Sequence, residues 1–289
     1  KSLFILSLFL PLAAAAQDQD AGLSVFGTLE LDGIYAFDRT DPDWNDMFRT
    51  QKIITRGNPY GTGGETAFTP RFSMFGLQYN RDTDWGVLKL YGKFDLTGLG
   101  DYAGETRPRI SRLYVQWGHL LAGKNESLFR DGSAYPDTLE WYGPVGLAGS
   151  FPYQINFTQQ TESGHWSLGL EDVTEAIDPV LISRIGGQQL YDPGARQDAP
   201  DLVGHYRRSG VWGHLQLGGI LRKITARGES SPGVEFKASD IGWGLNVTGS
   251  RKLNDANTLR GGIVGGHGIA GYMNDGGADM VIANNRDPD

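Results

Sequence analysis

Leu88, Lys89, Leu90, Tyr91, Gly92, Lys93, Phe94, Asp95, Leu96: along these nine residues apolar and polar side chains alternate without a break. Successive side chains of an extended strand point to opposite faces. Leu88, Leu90, Gly92, Phe94 and Leu96 therefore share one face, and Lys89, Tyr91, Lys93 and Asp95 share the other. Residues 211–223 repeat the pattern, with Val211, Gly213, Leu215, Leu217 and Leu221 set against His214, Gln216 and Arg222. A sheet with one greasy face and one charged face suits either a soluble sandwich or a barrel in a membrane. The connections between strands separate the two.

Eleven strands are expected, at 23–37, 71–79, 85–96, 110–117, a short one ending near 123, 153–158, 166–171, 202–207, 211–223, 241–250 and 258–269. Every second connection is tight, as at Asn80 to Asp84, Gly118 with His119, Thr161 to Gly164, Arg208 to Gly210, and around Asn254, Asp255 and Ala256. The others are long: Asp38 to about Phe68, Lys124 to about Phe151, and a stretch reaching Pro200. An up-and-down barrel with short periplasmic turns and long external loops produces this alternation, whereas a Greek-key sandwich scrambles it. The fold expected over residues 23–289 is an all-β, transmembrane, up-and-down antiparallel β-barrel. A Lys or Arg facing lipid near the bilayer midplane costs roughly 2–4 kcal/mol, so the charged face is the lumen. In the second strand Phe72, Met74 and Gly76 compete with Phe75, Leu77 and Tyr79 for the lipid face, a conflict that a β-bulge resolves.

Composition bounds the alternatives. The chain has no cysteine, which excludes disulfides, thiolate catalysis and sulfur-ligated metals. Forty-two glycines, seven tryptophans, twelve tyrosines and thirteen phenylalanines fit many strands and turns with rings for interfacial girdles. Lys1, the apolar residues from Leu3 to Leu10 and the small residues Ala14, Ala15 and Ala16 read as a signal peptide over 1–16, followed by a short lead at 17–22. No later run is long and apolar enough for a spanning helix. The polar end, Asn284 to Asp289, is not the apolar strand that closes such a barrel, so the sequence is read as C-terminally incomplete.

Strand parity gives the lumen a basic set, Arg71, Lys89, Lys93, Arg112, Arg207, Arg222 and Arg260, and an acidic set, Glu30, Asp32, Asp95 and Glu171. The net charge of −8 is carried largely by loops, for example at Asp38, Asp41, Asp43 and Asp46, and so says little about the pore. A cationic lumen lowers the barrier for small anions, because charged side chains act at close quarters there. The competing reading is that these charges pair across the wall and stiffen it, Lys93 with Asp95 in particular.

Residues 109–117 (Arg109, Ile110, Ser111, Arg112, Leu113, Tyr114, Val115, Gln116, Trp117), then Leu121 to Lys124 and Ser127 to Asp131, resemble the DcaP-like porins. Pro136 to Glu140 ahead of Gly143 and Pro144, and Arg71, Phe72 and Ser73 ahead of the 86–94 strand, add to the likeness. It covers about 70–160 well and the remainder by architecture, and phosphate-selective porins share a similar strand, turn and loop. The resemblance implies a homotrimeric channel of about sixteen strands in the outer membrane of a Gram-negative bacterium, taking up small anions such as dicarboxylates. It further implies that the third external loop, here 124–151, folds into the pore, with Arg112 and Arg130 as constriction contacts. Lys89, Lys93, Arg207, Arg222, Glu30 and Asp32 complete the expected pore lining. The expected partners are small anionic solutes, outer-membrane lipid, lipopolysaccharide and the outer-membrane assembly machinery. No nucleic acid, cofactor or metal is expected.

Other signals are weaker. Gly266, Gly268 and Gly271 satisfy G-x-G-x-x-G, but in a glycine-rich strand rather than a βαβ unit. His119, His165, His205, His214 and His267 show no metal-ligand spacing. A barrel-mounted hydrolase is the enzymatic alternative, yet no serine lies in a G-x-S-x-G elbow.

Overall fold

The computed structural model describes residues 3–10, 22–47, 57–98, 102, 104–137, 146–173, 191–196, 198–231, 234–274, 276 and 279. The chain is all-β, with antiparallel strands paired in an up-and-down meander. It falls into two compact units, 1–125 with 137–144, and 126–136 with 145–289.

The first unit contains β1 (Leu3–Leu10), β2 (Leu23–Asp38), β3 (Thr62–Thr69), β4 (Met74–Thr83), β5 (Gly86–Thr97), β6 (Thr106–Trp117) and β7 (Leu120–Lys124). β2, β4, β5, β6 and β7 pair in sequence order, each with the next. β1, in the stretch expected to be a signal peptide, pairs with β2, Leu3 opposite Ala36 and Leu10 opposite Leu29. The second expected strand begins at Met74 rather than at 71. Ahead of it β3 pairs with the far part of β2, so that Asp32 faces Thr69 while Thr28 faces Met74. Pro70, which has no N–H to give a ladder, opens the interruption. Ser73 fills it: its Oγ accepts from Glu30 N and donates to Glu30 O, both at 3.0 Å. With the strand started there, Phe75 and Leu77 are exposed and Gly76 is buried, so the Phe75 set faces outward.

A bulge in β6 changes the parity read from sequence. Lys93 pairs with Arg112 but Phe94 with Ile110, which leaves Ser111 out of register. Its hydroxyl donates to Lys93 O at 3.1 Å. Ile110 and Leu113 consequently both face outward, and Arg109 and Arg112 share the inward face although three positions apart.

The second unit contains β8 (Tyr153–Thr161), β9 (Gly164–Asp172), β10 (Tyr191–Arg196), β11 (Asp201–Gly210), β12 (Gly213–Ser231), β13 (Val234–Lys252) and β14 (Thr258–His267). β8, β9, β11, β12, β13 and β14 form the meander, and β10 pairs with the outer part of β12, Gly194 opposite Arg227. Residues 224–231 and 234–240, which lie beyond the expected strands, continue the ladder. β12 and β13 run on as a paired hairpin of 19 residues per limb. The last strand stops at His267 instead of 269, because Gly268, at φ 62°, turns the chain into a short 3-10 helix, Ala270–Tyr272.

Burial follows strand parity. On β12, Leu215 and Leu217 are each 53% exposed whereas His214 is 5% and Gln216 3% exposed. A soluble fold would reverse this assignment, so the apolar side chains form the outer, lipid-facing surface. The second unit also has an inward apolar cluster of Leu128, Phe129, Ala148, Val203, Ile220, Ile269 and Tyr272. Gly218 and Gly244 make room for it, since a Cβ on either would lie 3.4 or 3.3 Å from the Phe129 ring.

Candidate pore lining

In the second unit, residues 126–136 pack against the inward faces of five strands. Buried backbone polar groups need partners, and side chains at inward positions supply them. Gln154 Nε2 of β8 donates to Glu126 O at 2.7 Å, His205 Nδ1 of β11 to Leu128 O at 2.7 Å, and Asn246 Nδ2 of β13 to Phe129 O at 2.7 Å. Gln216 Nε2 of β12 donates to Arg130 O at 3.0 Å. Glu171 of β9 works in the other sense, accepting Leu128 N and Ser127 Oγ, each at 2.7 Å.

Asp131 completes the attachment. Its Oδ1 accepts from Arg207 Nη1 at 2.9 Å and from Ser133 N at 3.1 Å. Its Oδ2 accepts from His214 Nε2 at 2.7 Å and Thr248 Oγ1 at 2.8 Å. Burial pushes this carboxyl up, but the hydrogen bonds from His214 and Thr248 and the charges of His214 and Arg207 outweigh it and hold it below the usual carboxylate range. Ser250 Oγ lies 2.9 Å from His214 Nδ1, so serine, histidine and aspartate occur in the order of a hydrolytic relay. The carboxylate is shared among four donors, however, and works as an anchor for the segment.

Three cations expected to face the cargo are engaged elsewhere. Arg130 is stacked between Tyr135 and Phe151, at 4.7 and 4.6 Å from the ring centroids, with Glu126 at 3.6 Å. Arg207 is held by Asp131. Arg222 lies between Asp201, at 3.0 Å, and Asp279, at 2.9 Å, and donates to Gly268 O at 3.1 Å. Tyr272, whose hydroxyl donates to Asp201 Oδ2 at 2.9 Å, lies beside this pair, and burial raises its pKa. Arg222 therefore fastens the 268–279 segment to the wall.

In the first unit Glu30, Asp32 and Arg71 are buried, and Arg71 reaches Asp46 at 2.5 Å and Glu105 O at 3.1 Å. Asp95 holds Arg109, which the bulge turns inward, by two hydrogen bonds of 2.9 and 2.7 Å. Lys89, Lys93 and Arg112 are half-buried on the inward face of β5 and β6. The register sets them in rows: Asn80, Lys89 and Gln116; then Gln78, Tyr91 and Tyr114; then Lys93 and Arg112. Arg112 belongs to the first unit and Arg130 to the second. Among the described residues no group of three or more His, Asp or Glu is arranged to hold a metal.

The chain is similar to the crystal structure of the outer membrane channel DcaP of Acinetobacter baumannii, with a TM-score of 0.60 and 13% identity. This chain has the fold of an outer-membrane channel. The match covers 81% of this chain and 60% of the other, so the chain spans less than two thirds of that channel's length. No family model matches the sequence, and no curated protein does. Asp131, His214, Gln216 and Asn246 are the inward polar contacts that charge counting missed. The available signal was polar amides and imidazoles recurring at inward positions, where a wall merely wetted by solvent has no need of them.

Proposed function

We propose that the protein is a porin of the Gram-negative outer membrane, admitting small hydrophilic solutes by passive diffusion and favouring small anions such as dicarboxylates. What supports this reading is the set of inward cationic side chains Lys89, Lys93 and Arg112 on strands whose apolar residues face outward. Solute moves down its own gradient. The fixed positive charge raises the local anion concentration and lowers the electrostatic barrier in a narrow, low-dielectric passage. No covalent step, cofactor or metal enters. In the same reading residues 1–16 direct export and are removed, the 126–136 segment narrows the pore, and three copies assemble in the membrane.

Planar-bilayer reversal potentials of the full-length protein in asymmetric potassium chloride test the selectivity, and a preference for potassium would overturn it. Liposome swelling sorts the solute: succinate entering faster than phosphate and a neutral sugar supports the dicarboxylate assignment. Equal rates would make the protein a general porin, and phosphate in the lead a phosphate channel.

A further inference from the structure

His165 of β9 and His205 of β11 are 40 residues apart in the chain, yet their Nε2 atoms meet at 3.0 Å in the second unit. The ladder brings them together: His205 is the register partner of Ser167 and Arg207 that of His165, so the two histidines are diagonal neighbours at inward positions. Their ring planes are 76° apart. Both side chains are half-buried, so solvent reaches the pair.

The hydrogen bonds fix which nitrogen carries hydrogen. Leu128 O can only accept, so His205 Nδ1 donates to it at 2.7 Å and His205 Nε2 keeps its lone pair. That lone pair takes the Nε2 hydrogen of His165. When His165 carries its hydrogen on Nδ1 instead, two lone pairs face the same gap, and a small rocking of each ring makes them a two-nitrogen chelate. Metal–imidazole bonds of about 2.0–2.1 Å place two such nitrogens about 2.9 Å apart at adjacent corners of a square and about 3.3 Å apart in a tetrahedron. The observed 3.0 Å lies nearer the square, the geometry of Cu2+ and Ni2+. Leu128 O supplies the second hydrogen bond that orients a ligating imidazole, and Leu128 N is itself held by Glu171 at 2.7 Å.

The surroundings tolerate a dication. Arg207, beside His165, is paired with Asp131 at 2.9 Å. Gln160 faces His165 across the β8–β9 ladder, is exposed, and offers an amide oxygen. Among the described residues no third histidine or carboxylate completes the group. We infer that His165 and His205 bind one divalent transition-metal ion of the copper type through both Nε2 atoms, with its other positions open to water or to a solute carboxylate. An open coordination position is what lets a metal site exchange ligands. The inference goes beyond passive diffusion and does not depend on the anion preference of the pore.

The test is titration of Cu2+ into the full-length protein purified without a histidine tag. One tightly bound ion per chain is expected, with a tetragonal electron paramagnetic resonance spectrum and pulsed spectra showing the remote nitrogens of two imidazoles. Zn2+ should compete more weakly. Loss of a partner of a metal ligand costs about 10–100-fold in affinity, so His165→Ala, which removes a ligand, should weaken Cu2+ binding about 100-fold. Its circular dichroism should match the wild type, because His205 and not His165 holds the 126–136 segment. His205→Ala should weaken binding equally, and His267→Ala, which alters the exposed pair with Asp240, should leave it unchanged. Unchanged affinity in His165→Ala, a single imidazole in the wild-type spectra, or loss of binding in His267→Ala instead overturns the inference and reduces the pair to a hydrogen bond. Because binding is read without conductance, a failed anion-selectivity measurement leaves this result standing.

Discussion

His214 Nε2 and Asp131 Oδ2 meet at 2.7 Å although 83 residues separate them in the chain. One partner belongs to a strand of the wall and the other to the segment folded against it. Neither identity is informative alone, since histidines and aspartates are common in loops and lumens. Their meeting fixes residues 126–136 of a long connection against the strands.

Asp131→Ala should release that segment. The change leaves Arg207 and His214 facing an unfilled acceptor site, and breaking a buried pair by deleting one member costs about 3 kcal/mol or more. Amide exchange across 126–136 is expected to speed up by two orders of magnitude, with open-channel noise rising alongside. Unchanged exchange would remove Asp131 from its anchoring role.

Two loop carboxyls should respond oppositely to acid. Asp131 is held below its ordinary pKa, so its contribution to stability persists down to about pH 4 and disappears only as pH falls through its lowered value. Asp279 goes the other way: burial raises its pKa, a shift that Arg222 only partly offsets. It binds its proton more readily folded than unfolded, so acidification toward pH 4 tightens the 268–279 segment. Protection factors measured at pH 7, 5 and 4 should rise across Ala270–Tyr272 as Asp279 takes up its proton. Loss of protection in both segments by pH 5 would contradict both assignments.

Leu217→Arg should cost roughly 2–4 kcal/mol of stability in a bilayer, because the side chain faces outward at mid-strand. Urea titration in vesicles checks it. A negligible effect would mean that this face does not meet acyl chains.

Lys93→Glu should move the reversal potential toward that of potassium, as should Arg112→Glu, since each exchanges a lumenal positive charge for a negative one. Arg130→Gln should shift it far less, because Tyr135, Phe151 and Glu126 surround that guanidinium. An equal shift in all three variants would return Arg130 to the constriction expected from sequence.

The contrast between Arg112 and Arg130 shows what the amino-acid order could reveal. Alternation is a local property, so the strand faces, including Lys89 inward and Leu217 outward, were legible, as were the eleven strands of the meander, which correspond to β2, β4 to β9 and β11 to β14 without β10. Pairing across loops is not local. The partner of Asp95 depended on one out-of-register serine, Ser111, which turned Arg109 inward. The arginines at 130, 207 and 222 looked equivalent to Arg112 because nothing near them in sequence announces Phe151, Asp131 or Asp279.

The β12–β13 hairpin has 19 residues in each limb, about 60 Å of extended chain at roughly 3.3 Å per residue. Even a strongly tilted strand needs only about 9–11 residues to cross hydrocarbon. In a membrane, a hairpin of this length would carry its outer residues clear of the lipid, where β10 pairs with one limb.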